Sequence, residues 1–147
     1  MPADRSATDV IAERLSDHEK VQIHMDQLQL FAHGMFSNVY KGRLQLTNAK
    51  EQRFVAVKKT WSEGPSDRLA EVKILMTLNK VCHKNILQLL YHFSQLYPDK
   101  KVSNGLIFEL LPMSLSAHLK ENKRLIPIFD VKMYMWQIFR AQMHLAK

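Results

Sequence analysis

Phe54-Val55-Ala56-Val57-Lys58-Lys59 is the stretch from which the rest of the chain can be read. Its apolar and β-branched run up to Lys58 is a strand signal. Side chains alternate faces along a strand, so Ala56 and Lys58 share one face while Val55 and Val57 share the other. A small residue and a cation two positions apart suit a flat ring lying beside a phosphate. Taken alone, the stretch reads more simply as a sheet strand ending in a solvated Lys58-Lys59 pair.

The flanking segments change that balance. Upstream, Leu28-Gln29-Leu30-Phe31 alternates like a strand and runs into Ala32-His33-Gly34-Met35-Phe36-Ser37-Asn38-Val39-Tyr40-Lys41-Gly42. Against a phosphate-loop pattern G-x-G-x-x-G-x-V, the chain offers Ala32, Gly34, Ser37 and then Val39. Downstream, Glu71 opens the helical run to Leu78, followed by His83-Lys84-Asn85-Ile86. Leu106-Ile107-Phe108-Glu109-Leu110-Leu111-Pro112 reads as a strand ended by proline, and Ile126 to Arg140 as the start of a long helix.

In this order the segments resemble the protein kinase domain, and the Ile126–Arg140 run is similar to the start of the long C-lobe helix of glycogen synthase kinase-3. The resemblance runs from about Leu28 to the last residue. It implies an α+β fold: a kinase-like N-lobe, with an antiparallel five-stranded sheet plus one helix, followed by the first helices of the C-lobe. The expected divisions are a polar, flexible extension over 1–26, the nucleotide-binding lobe and hinge over 27–113, and the C-lobe start over 114–147.

The resemblance also assigns roles. Lys58 and Glu71 become the lysine–glutamate pair that holds the lysine on the nucleotide phosphates. Phe31, Ala32, Gly34, Ser37, Val39, Ala56, Lys58, Phe108, Glu109 and Leu111 become the ATP-binding positions. Val39 and Ala56 would sandwich the adenine, Phe108 would guard the rear, and the backbone of Glu109 and Leu111 would meet its edge. The chain stops at Lys147, before the family's H-R-D and D-F-G motifs, so no metal ligand and no complete catalytic set is expected. ATP binding is expected to be weak and phosphate transfer absent. Ala32 and Ser37 restrict backbone approach to a phosphate. Ala70 stands where the family carries a basic residue for primed substrates, which puts that selection in doubt.

Composition sets outer limits. The 147 residues can bury one core, and 46% hydrophobic with 24% charged content is globular. The single Cys82 excludes an internal disulfide and fits a reduced setting, cytoplasmic or also nuclear. No membrane span or signal peptide is visible. Net charge is +7, and residues 1–26 are acidic enough to leave the remainder at +10. The lysines are scattered without interleaved aromatics, so a solvated basic surface outweighs a nucleic-acid site.

Local signals complete the reading. They place a short helix over Asp9 to Leu15, strands between Val21 and Leu46, and a polar turn over 47–52. Ser66 is the expected N-cap of the Glu71 helix. Ile86 to Phe93 reads as a strand, and the polar stretch Tyr97 to Gly105, with its Asn-Gly, as a hairpin connection. A short helix is expected over Ser114 to about Lys123. The final helix is apolar nearly all round and is expected to be buried on several faces, under a protein partner or the rest of the C-lobe. Three functions follow: a piece of a Ser/Thr protein kinase that binds ATP, a catalytically silent kinase-like module acting through a partner, or a basic nucleic-acid-binding domain.

Overall fold

In chain order the elements are strands β1 (Val10–Glu13), β2 (Lys20–His33), β3 (Ser37–Gln45) and β4 (Gln52–Trp61), helix α1 (Pro65–Lys80), strands β5 (Tyr91–Leu96) and β6 (Val102–Glu109), and helices α2 (Leu115–Glu121) and α3 (Ile128–Leu145). The computed structural model describes residues 10–34, 37–45, 52–61, 65–97, 102–123 and 125–146, with backbone alone at 24–29, 31, 52 and 65–69. The expected turn over 47–52 and the break at 62–64 therefore fall almost wholly outside the described residues.

The sheet differs from the five strands expected. Six antiparallel strands run β1-β2-β3-β4-β6-β5, and β5 returns to β1 through the pair Glu13 and His92, closing a barrel. The sixth strand is β1, where a short helix was expected, and residues 10–26 belong to the barrel rather than to a flexible extension. Val10, Ala12, Val21 and Ile23 alternate inward and are buried, a period-two pattern hidden among charged neighbours.

The turn after β1 is tied down by its own charges. Arg14 N–H donates to the Glu19 carbonyl at 2.8 Å, and His18 takes the left-handed conformation at φ 59°. The Arg14 guanidinium reaches Asp17 at 3.0 Å, Glu19 at 2.5 Å and the Tyr91 hydroxyl at 2.7 Å, joining this turn to β5. His18 bonds the Glu13 carboxyl and holds its pKa below the ordinary value.

Inside the barrel Val10, Ala12, Val21, Ile23, Leu44, Val55, Val57, Tyr91, Phe93 and Ile107 form the main core. Complete burial of one such aliphatic side chain contributes about 1.5–3 kcal/mol. Gly105 of β6 lies against Phe93, whose ring would stand 2.1 Å from an added Cβ. This explains why Asn104-Gly105 sits inside a strand rather than in the expected turn. A smaller core on the outer face joins Leu89, Leu106 and Phe108, with Val72 and Leu75 of α1 packed on it.

Three boundaries also shift. Helix α1 begins at Pro65, so Ser66 is its second residue rather than its cap; proline's fixed φ suits a first helical position. Strand β5 begins at Tyr91 rather than Ile86. Just before it, the Asn79 side chain accepts from Leu89 N–H at 3.1 Å and donates to its carbonyl at 2.6 Å, replacing a ladder partner. Helix α2 is capped by Ser114, whose Oγ accepts from Ala117 N–H at 3.2 Å. Of its described residues, α3 buries none. Among the described residues, its hydrogen bonds outside its own segment go to the loop after α1.

Candidate functional site

Strand β4 divides its side chains cleanly. Val55, Val57 and Lys59 are buried, while Ala56 and Lys58 lie half-buried on the other face. Lys58 stands opposite Val39 of β3 and Leu106 of β6; Ala56 stands opposite Lys41 and Phe108. Directly opposed residues share a face. One outer face therefore presents Val39, Lys41, Ala56, Lys58, Leu106 and Phe108.

Helix α1 supplies the acid to this face. Val72 and Leu75 pack on the outer core, which brings Glu71 over Lys58. Lys58 Nζ donates to Glu71 Oε1 at 2.5 Å, with the two side chains 30% and 41% exposed. A pair so solvated contributes about 0–1 kcal/mol to stability. Its geometric effect is larger: the flexible lysine is held in one place, with two further N–H donors for an anion.

The expected loop positions lie at the end of the β2–β3 hairpin. Ala32 pairs with Val39 and His33 with Asn38. Gly34 N–H donates to the Ser37 carbonyl at 2.9 Å, and the His33 and Asn38 side chains bond at 2.8 Å. A Cβ on Gly34 would meet that Ser37 carbonyl at 3.1 Å, so the glycine serves a close approach and not a left-handed turn. Its amide is committed to the hairpin. The side chain of Phe31, like Met35 and Phe36, lies outside what is described. At the other end Phe108 is buried on the outer core, Glu109 ends β6, and Leu111 lies exposed beyond it.

These residues fit a nucleotide in part. A held cation, two small apolar surfaces and a buried aromatic floor stand on one face, while among the described residues of the hairpin end the Gly34 amide is already taken by the Ser37 carbonyl. Among the described residues no group of three or more His, Cys, Asp or Glu is placed to hold a metal ion. Sequence reasoning missed two members of this face. Lys41 Nζ lies 4.3 Å from the centre of the Phe54 ring, a cation–π contact. The same period-two count that links Ala56 to Lys58 would have found Phe54, and from Val39 would have found Lys41.

The His83-Lys84-Asn85 turn is a second built feature. His83 and His144 of α3 stack with ring centres 4.8 Å apart, and His144 Nε2 bonds the Val81 carbonyl at 2.5 Å. Asn85 donates to the Gln137 carbonyl at 3.1 Å. Desolvation, then the nearby His144, Arg140 and Lys84, hold the His83 pKa below its ordinary value.

Comparison with known proteins gives a consistent result. Residues 25–147 match the family described as protein tyrosine and serine/threonine kinase. A Caenorhabditis elegans protein named "Putative serine/threonine-protein kinase gskl-1" is 36% identical over 128 residues, covering 86% of this chain and 34% of the relative. The serine/threonine-protein kinase RIM11/MSD1 of Saccharomyces cerevisiae is 27% identical over 130 residues, covering 86% of this chain and 33% of that protein. The chain thus spans about a third of the length of these curated relatives.

Proposed function

The chain belongs to the protein tyrosine and serine/threonine kinase family, and from that premise we propose that its outer sheet face is a nucleotide-binding surface of a glycogen synthase kinase-3-like Ser/Thr kinase. The observation that carries the reading is the Lys58–Glu71 pair on the face shared by Val39, Ala56 and Phe108. Val39 and Ala56 contact the adenine ring, and Phe108 closes the space behind it. Backbone groups of Glu109 and Leu111 take the ring edge. Lys58, held by Glu71, takes a phosphate oxygen, and Phe31, Ala32, Gly34 and Ser37 cover the phosphates.

ATP supplies the transferable phosphoryl group in this family, and Mg²⁺ neutralises its charge. Calorimetric titration with ATP tests the surface. Lys58→Met, which keeps length and packing, abolishes binding and leaves the circular dichroism of the sheet unchanged. Binding equal to the parent would remove Lys58 from the site. Ser37→Gly with Ala32→Gly frees the hairpin end and tightens binding by about 1 kcal/mol, the size of one hydrogen bond.

One observation favours a second reading, a catalytically silent module acting through a partner. Phe129, Trp136, Ile138 and Phe139 of α3 are all exposed, and apolar patches of this kind mark association sites. Under it, sedimentation is concentration-dependent and shifts toward monomer when Trp136 and Phe139 become serine. A reduced intracellular setting suits the single free Cys82. Among the described residues no helix is long and apolar enough to cross a membrane.

A further inference from the structure

Lys59 turns the opposite way from Lys58, into the barrel. It is 5% exposed and lies next in the inward row after Val55 and Val57. Its Nζ donates to the Tyr97 hydroxyl at 3.3 Å, and that hydroxyl donates onward to Gln95 Oε1 at 3.2 Å. Among the described residues no carboxylate pairs with Lys59.

A second donor shares the same end of the barrel. Ser103 of β6 is fully buried, and among the described residues its hydroxyl has no hydrogen-bond partner. Lys59 stands opposite Gly105, and Ser103 stands opposite both Trp61 and Gln95. Lys59 and Ser103 are therefore diagonal neighbours on one face of adjacent strands, a separation of roughly 7–8 Å that long side chains span.

A buried ammonium without a counter-charge is costly, and a bound anion removes that cost. An unpaired buried hydroxyl is a separate cost. One anion between the two donors removes both, whereas a cation or an apolar group removes neither. The anion must be small, because the Phe93 ring already fills the space beside Gly105. It must also lose its water cheaply. We infer that the end of the barrel lined by Lys59, Ser103 and Tyr97 is a binding site for a monatomic halide, chloride under ordinary conditions. The site lies on the opposite side of β4 from the nucleotide face and does not depend on that reading.

Thermal melts of the full chain test this in sodium chloride, sodium bromide and sodium gluconate at equal ionic strength. Either halide raises Tm saturably, by about 5 °C at ten times its dissociation constant, relative to gluconate. Lys59→Met loses the increment, Ser103→Ala weakens it, and Lys120→Met on exposed α2 keeps it. If Lys59→Met fails to fold, bromide anomalous scattering from parent crystals decides: a peak beside Lys59 Nζ supports the site, and its absence overturns it. A parent indifferent to halide, or an undiminished increment in Lys59→Met, overturns it.

Discussion

The barrel and helix α3 are both rich in apolar side chains, yet they handle them in opposite ways. Ile23, Val55, Val57 and Ile107 are fully buried, whereas in α3 Phe129 is 67% and Trp136 47% exposed. The barrel strands alternate, so each sends one row of side chains inward, and closure from β5 to β1 seals that row from water. Helix α3 spreads its apolar residues round its circumference and meets the rest of the chain chiefly through the loop over Val81–Asn85. That attachment is polar: a histidine on a carbonyl, an asparagine on a carbonyl and a pair of stacked rings. Apolar content alone therefore does not fix burial; the pattern and the availability of a closing partner do.

The largest expected effect tests this directly. Ile107→Ala should lose about 2–5 kcal/mol in urea unfolding, while Phe139→Ala on α3 should stay within about 0.5 kcal/mol. Comparable losses at the two sites would erase the distinction. Next in size is the Lys58–Glu71 pair, which ties α1 to the barrel. Glu71→Gln should cost less than about 1 kcal/mol in the same assay, and added salt should shrink the difference further.

The smallest effect sharpens the polar attachment of α3. The folded His83 has a pKa below 6.5, so the undocked state takes the proton first as pH falls. The contact is fully present above 6.5 and weakens as pH drops toward the lower folded value. Lys84 and Arg140 both lie over Trp136, 5.3 and 5.8 Å from its ring, so its emission reports the change. In a Trp61→Phe background, Trp136 fluorescence should shift over that acid interval, and His83→Gln with His144→Gln should flatten the response.

Much of this was legible in the chain, for a physical reason. The β2–β3 hairpin, the β4 lysine and the α1 glutamate are local patterns, and periodicity within a few residues reports them. The partnership of Lys58 with Glu71 was implied by the resemblance to the protein kinase domain, while the strand and the helix that carry the two residues were read from local pattern. Strand β1 was not legible, because its four residues pair with β2 and β5, and charged Glu13 and Arg14 mask Val10 and Ala12. Asn104-Gly105 misled for the converse reason: a strong local turn signal was overruled by Phe93, a distant residue that needs the room. The committed amide at the hairpin end was equally hidden, since hydrogen bonding across a turn leaves no mark on composition.

The bare Cα of Gly105 acts as a key for alignment. Sliding β6 along β5 by two residues would set Ser103 or Ile107 against the Phe93 ring, where even a methyl stands 2.1 Å from carbon. Sliding it by one would turn every side chain of β6 to the wrong face. Only one setting is left, and it is the one that places Leu106 beside Lys58 and Phe108 beside Ala56. A hydrogen atom inside the barrel thus decides which side chains assemble on its outside, and substitution there would scramble a surface it never touches.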